Sequence, residues 1–521
     1  MNRTAAADDD VPLLDTTFRP IAELIGRHAR EAPTRPALVQ GEASLSYAEL
    51  DAWMDRIAAA LQRDGVRSGD AIALCAGSTL RAAALFLGAL RAGAAVAPLA
   101  ASVTPQTFAS MLTDAAPRYL FVDASAAPVL GALPPETHLV ALGDGVPGAA
   151  WDDWLAPLDA KPAPVEIHPE APFNIIYSSG TTGTPKGIVQ PHAMRWAHVV
   201  RGAAFGYAAD TVTLLATPLY SNTTLVVFFP TLAFGGTVVL MSKFDAAGYL
   251  ALAERHHVTH TMLVPVQYQR IVARPDFDRH DLTSFKAKFC TSAPFSAALK
   301  ADIVRRWPGA LIEFYGMTEG GGTCILPAHL HPDKLHTVGQ PAAGHDIRLI
   351  DEEGRELPPG STGEVVGRSP GNMMTAYHGQ PEKTREAEWF DADGQRYIRT
   401  GDVGRFDDDG FLVLMDRRKD MIISGGFNLY PSDLEAVLRE HADVAEAAVV
   451  GVPSAQWGET PVGYVVLRES ATIDAAGLRA WVNGRVGKTQ RLADVVLIGE
   501  LPRSAIGKVL KRELRERYTA G

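Results

Sequence analysis

Short apolar runs rich in Val, Ile, Leu and Ala recur along this chain between longer stretches of helical periodicity, and that alternation limits the possible folds more than any other feature. The runs include residues 71–75, 119–122, 212–216, 237–241 and 447–452. A strand that is apolar throughout is buried on both faces, the condition of a largely parallel sheet covered by helices. Residues 82–90 and 244–256 read as two of the connecting helices. The expected class is α/β.

A chain of 521 residues exceeds one hydrophobic core of ordinary size, so at least two domains are expected. The segment 405–420 passes from an acidic turn through one strand into the charged run Asp416-Arg417-Arg418-Lys419-Asp420. Beyond it, 431–440 reads as a helix capped by Ser432 or Asp433, followed by a compact αβ unit of about 100 residues. The charged run is the expected hinge: residues 1–415 form a large domain, 416–419 the hinge and 420–521 a small domain.

The net charge of −11 disfavours nucleic acid, because phosphate binding needs a basic surface. Three widely spaced cysteines, Cys75, Cys290 and Cys324, suit neither a disulfide framework nor a zinc site and fit a reducing cytoplasm. Residues 1–10 lack the cationic start and apolar run of a signal peptide. The most apolar stretch, 82–100, is interrupted by Gly88, Arg91 and Gly93, so it reads as a buried helix and a strand rather than a membrane span of about 20 residues. A soluble cytoplasmic protein is expected; its oligomeric state, a homodimer included, stays open.

Four segments carry chemistry. In Ser178-Ser179-Gly180-Thr181-Thr182-Gly183-Thr184-Pro185-Lys186, glycines admit backbone N–H groups to phosphate oxygens, hydroxyls add donors and the lysine adds a charge. It is not the P-loop, and alone it reads more readily as a flexible loop. In Tyr315-Gly316-Met317-Thr318-Glu319, one acid suits a largely hydrated magnesium and an aromatic suits a purine, although a loop glutamate is most often merely solvated. In Thr400-Gly401-Asp402, an Asp in a tight turn suits two ribose hydroxyls, the alternative being turn capping. In Ser504-Ala505-Ile506-Gly507-Lys508, a glycine positions a lone lysine that would otherwise serve only solubility.

Together, in this order, these segments resemble the adenylate-forming superfamily of acyl-CoA synthetases, nonribosomal-peptide adenylation domains and beetle luciferases. The likeness runs from Leu45-Ser46-Tyr47-Ala48-Glu49-Leu50 to Lys508. It implies a large N-terminal domain of stacked mixed sheets and helices and a small mobile α+β C-terminal domain. By this resemblance Ser178, Ser179, Gly180, Thr181, Thr182, Gly183, Thr184 and Lys186 close over the β- and γ-phosphates of ATP. Tyr315 lies against the adenine, with Ser292, Ala293 and Pro294 on its other side and Gly316 and Met317 beside it. Thr318 meets the α-phosphate, Glu319 holds Mg2+, and Asp402 and Arg417 bind the ribose. Lys508 bridges the α-phosphate and the substrate carboxylate. Rotation at Lys419 then replaces Lys508 with the face containing Gly425 and Gly426, which admits the pantetheine arm of coenzyme A.

The acyl site is expected at Tyr220-Ser221-Asn222-Thr223, where aryl-CoA relatives commonly carry His in place of Ser221. The segments 220–229 and 314–323 hold no Arg or Lys, which argues for an apolar monocarboxylic acid, aromatic or of short to medium chain, because a second carboxylate would be buried unpaired. The expected enzyme is an AMP-forming acyl-CoA ligase; the alternative loads a carrier protein.

Overall fold

A computed structural model describes residues 17–178, 185–417, 420–424, 427–454, 457–487, 490–504, 507 and 509–520. Among these residues the chain forms two large sheets, of nine and eight strands, and two five-stranded sheets. The expected runs form strands: Ala71–Cys75 and Tyr119–Val122 in the eight-stranded sheet, Val212–Leu215 and Thr237–Leu240 in the nine-stranded one. These strands pair parallel with their neighbours, as two-sided burial requires. The expected helices are Leu80–Arg91 and Ala246–Arg255.

The principal core lies between the two large sheets. Leu38, Val238 and Phe289 from one sheet and Ile72, Val96 and Phe173 from the other share a cluster with Met54, Ile57, Phe86, Phe228 and Phe229 from helices. The helix Tyr47–Arg63 enters this layer through a capping box: Ser46 Oγ accepts from the Glu49 N–H, and Glu49 Oε2 accepts from the Ser46 N–H at 2.7 Å. No helix among the described residues is long and apolar enough to cross a membrane.

The third sheet is antiparallel and carries Arg396–Phe406 paired with Leu412–Arg417. The C-terminal unit is α+β. Val444–Ser454 and Gly458–Leu467 form its long antiparallel pair, with the helices Pro431–Arg439 and Ala475–Asn483 on one core and Lys511–Ala520 on another.

The sheets are mixed, as the resemblance implies: the third sheet and most of the C-terminal one are antiparallel. Two expectations of local structure need correction. Asp402 sits inside the strand Arg396–Phe406, beside a left-handed Gly401, and not in a tight turn. In the same sheet Asp416 and Arg417, where the expected hinge begins, pair with Val403 and Asp402. The helix Pro431–Arg439 is capped by Tyr430 with no side-chain bond, because Pro431 takes its first position and moves Ser432 and Asp433 inside. Ser432 instead donates its hydroxyl hydrogen to the Met415 carbonyl.

Candidate active site

Parallel strands end on one side of a sheet, and ligands of α/β proteins collect there. Four neighbouring strands of the nine-stranded sheet, Val212–Leu215, His260–Leu263, Ala287–Cys290 and Ala310–Tyr315, release the segments 216–224, 264–266, 291–294 and 316–323 at that edge. The third and eight-stranded sheets supply the remaining walls of a cavity of about 1550 Å³. Ser504 and Leu510 of the small domain line it together with Lys186, Thr318 and Glu319 of the large one. Gly507 is pressed against the Val264–Val266 segment: a Cβ there would stand 2.7 Å from Val266 Cγ1.

Lys186 opens the strand Lys186–Pro191, paired in a hairpin with Pro172–Ser178. Its ammonium lies 4.7 Å from the centre of the Tyr377 ring, and the Tyr377 hydroxyl donates to Glu319 Oε1 at 2.8 Å. Burial and the Glu319 charge push the Tyr377 phenol upward, so it stays a donor. The loop carrying Thr318 and Glu319 is pinned from beneath. Gln190 Nε2 donates to the Thr318 carbonyl at 2.6 Å, and Gln190 Oε1 accepts from Asn174 at 2.8 Å and from Arg195. Behind the loop, Gly320 has a positive φ of 75° and no room for a Cβ, which would stand 2.3 Å from the Asn372 carbonyl oxygen.

Tyr315 closes its strand and donates to Asp402 Oδ2 at 2.9 Å. The Asp402 N–H donates to Thr400 Oγ1 at 3.0 Å. Ser292 holds a φ of +80°, a costly backbone for a residue with a Cβ, and its hydroxyl lies 2.7 Å from that of Thr223. Glu313, just before this loop, is fully buried against Lys300; burial raises its carboxyl to about 7, with the ammonium opposing.

At the other end, Tyr220, Ser221, Asn222 and Thr223 lead into the helix Asn222–Ala233, whose Val226, Val227 and Pro230 face the cavity while Leu225, Phe228 and Phe229 are core. Phe205, Phe289 and Phe314 form an aromatic wall with ring centres 5.4–5.5 Å apart. Tyr207 lies parallel to Phe289 at 6.3 Å.

The structure thus brings Lys186, Ser292, Gly316, Met317, Thr318, Glu319 and Tyr220–Thr223 to one cavity wall. It joins Tyr315 to Asp402 just outside that wall, whereas Ala293 and Pro294 do not line it. Ser178 ends its strand and Arg417 ends its own, in register with Asp402. Ser179, Gly180, Thr181, Thr182, Gly183, Thr184, Lys419, Gly425, Gly426 and Lys508 lie outside the described residues. Among the described residues, no three metal-ligating side chains cluster.

The sequence reading missed Tyr377, His198, Arg201 and Tyr207. The helix His192–Gly202 places Arg195, His198 and Arg201 at steps of three, and that polar spacing on a packed helix was the available signal. Arg201 lines the cavity from outside the segments 220–229 and 314–323, so the cavity wall holds a cation that those two segments do not supply.

The family model for AMP-binding enzymes matches residues 25–378, and that for the AMP-binding enzyme C-terminal domain matches 433–508. The chain is 34% identical to indoleacetate–CoA ligase of Aromatoleum aromaticum, covering 95% of this chain and 98% of the relative. It is 33% identical to the fatty acid–[acyl-carrier-protein] ligase ScoC of Streptomyces coeruleorubidus, over 94% and 95%. The crystal structure of ATP-bound MatB from Rhodopseudomonas palustris superposes with a TM-score of 0.83 at 30% identity, over 95% of this chain and 99% of that one. The chain belongs to the AMP-binding enzyme family, and within it aligns end to end with carboxylate–CoA ligases.

Proposed function

We propose that the protein is an ATP-dependent acyl-CoA ligase that activates an organic acid with an aromatic body. A carboxylate oxygen attacks the α-phosphorus of ATP, forming the acyl-adenylate and expelling pyrophosphate. The thiolate of coenzyme A then attacks the acyl carbon, forming the thioester and releasing AMP. The observation that carries this reading is the continuity of one cavity from Lys186 and Glu319 to the aromatic wall, with Ser504 and Leu510, which flank Lys508 in sequence, on its rim.

In this reading Lys508 neutralises the charge that converges as two anions react, and the Gly-rich loop with Lys186 receives the leaving pyrophosphate. Tyr315 meets the adenine, Asp402 and Arg417 meet the ribose, and Thr318 meets the α-phosphate. Magnesium takes few protein ligands and binds through substrate phosphates, and the single carboxylate of Glu319, held by Tyr377 beside Lys186, fits that demand. Bound there, the ion would screen the phosphate charges. We assign residues 1–415 and 420–521 to two domains, and their pivot to the residues just past Arg417, where the Asp402–Arg417 ladder ends. The buried free thiols of Cys75, Cys290 and Cys324 fit a cytoplasmic setting.

The test is acid-dependent exchange of labelled pyrophosphate into ATP, followed by thioester formation. Lys508→Ala should lower exchange at least about 100-fold while ATP still binds. Absence of exchange with every acid of a broad panel would refute the reading. The similarity to a carrier-protein ligase favours one second reading, which thioester formation on a carrier protein but not on free coenzyme A would establish.

A further inference from the structure

Arg201 is partly buried in the cavity wall, and among the described residues it has no carboxylate partner. Among the described residues its guanidinium neighbours His345, with Nη2 3.2 Å from His345 Nε2. That contact cannot neutralise it. His345 Nδ1 accepts the Thr323 N–H at 3.0 Å, so the neutral ring carries its proton on Nε2, which lies 3.2 Å from Ser369 Oγ. Burial and Arg201 itself lower the His345 imidazole to about 4, so at neutral pH the guanidinium faces an N–H and not a charge. A cation drawn into a cavity wall without a partner carries a desolvation cost, and guanidinium geometry matches a carboxylate.

Two more polar atoms in the same cavity wall are unmatched. His198 Nδ1 and the Tyr207 hydroxyl are both buried with no hydrogen-bond partner. Burial, with Arg195 and Arg201 adding to it, keeps the His198 ring neutral. Buried polar groups are almost always paired, so these two beside the Arg201 guanidinium at one end of a cavity mark a place for a ligand's polar group. Around them stand Phe205, Phe289 and Phe314.

We propose that the acid activated here carries a second carboxylate at the far end of its aromatic body, bound by Arg201 with Tyr207 and His198 as hydrogen-bonding neighbours. This rests on the acyl-activating reading above and names its substrate class. It replaces the expectation of an apolar monocarboxylic acid, whose premise was a pocket without a cation.

The test compares kcat/KM for matched acids that differ only at the distal end: terephthalate against 4-methylbenzoate, and 4-carboxycinnamate against 4-methylcinnamate. In the wild type the dicarboxylates should be preferred at least about 100-fold, since a site built around a polar group rejects the analogue lacking it. In Arg201→Leu that ratio should collapse toward unity, and Arg201→Lys should restore part of it. Wild-type preference for the methyl analogues, or an unchanged ratio in Arg201→Leu, overturns the proposal. Should Arg201→Leu fail to fold, the wild-type ratio decides. Pyrophosphate exchange with the methyl acids alone would sink only the role of Arg201, whereas no exchange with any acid would sink acyl activation itself.

Discussion

Tyr315 and Asp402, 87 residues apart in sequence, meet through a 2.9 Å hydrogen bond that joins the nine-stranded sheet to the third sheet. Strand pairing sets the Arg417 backbone opposite that of Asp402. If Asp402 binds the ribose, Asp402→Ala loses hydrogen bonds to a charged group and should raise the KM for ATP about 10- to 100-fold. Tyr315→Phe keeps the ring and loses a single hydroxyl, so about 5-fold is expected. Pyrophosphate exchange at varied ATP reads both, and equal effects would show that the carboxylate does not touch the nucleotide.

Glu319 offers one carboxylate, already oriented by Tyr377. Glu319→Gln preserves the shape and still accepts the Tyr377 hydroxyl hydrogen, but it removes the charge. The free Mg2+ needed for half-maximal exchange should rise at least about tenfold, the worth of one charge-assisted contact. Chelation should abolish exchange in both proteins. An unaltered magnesium requirement in the variant would remove Glu319 from the metal site.

Much of this was legible in the sequence because its signals are local. Two-sided apolar runs such as Ala71–Cys75 announce parallel strands, and the glycine-hydroxyl-lysine segment and Tyr315–Glu319 keep their spacing whatever surrounds them. Other features depend on contacts between distant segments. Tyr377 meets Glu319 across 58 residues, from a two-residue edge strand paired with Val189 and Ile188 that no pattern marks. Arg201 belongs to a helix whose periodicity says only that one face is packed; which side chain of that face meets a cavity is fixed by the sheets around it. The misplaced cap of Pro431–Arg439 had a local cause instead, a proline favoured at the first helical position.

Gly320 tests how far the loop carrying Thr318 and Glu319 depends on its backbone. Gly320→Ala forces a Cβ against the Asn372 carbonyl at a positive φ, a strain of about 1–3 kcal/mol. Since the loop carries Thr318 and Glu319, kcat for exchange should fall at least about tenfold. Gly394 also has a positive φ, 74°, yet open space around it, so Gly394→Ala should cost stability and leave kcat near wild type. Equal losses of kcat in the two variants would show that the Gly320 contact does not position the loop.

Glu313 gives the chain a pH-dependent stability that does not belong to the reaction. Burial raises its carboxyl from the ordinary 4.5 to about 7, with Lys300 opposing. Between those values the folded state binds more protons than the unfolded one, so this group's contribution is full below about pH 4.5 and is lost as pH rises through 7. The shift corresponds to a loss of about 3 kcal/mol at most. Glu313→Gln removes the titration while Lys300 keeps its bonds to the Leu335 and Thr337 carbonyls, both at 2.9 Å. Urea midpoints at pH 5 and pH 7.5 should therefore differ less in the variant than in the wild type, by an amount that favours the variant at the higher pH. An identical pH slope in both proteins would mean that Glu313 is ionised at its ordinary value, held there by Lys300.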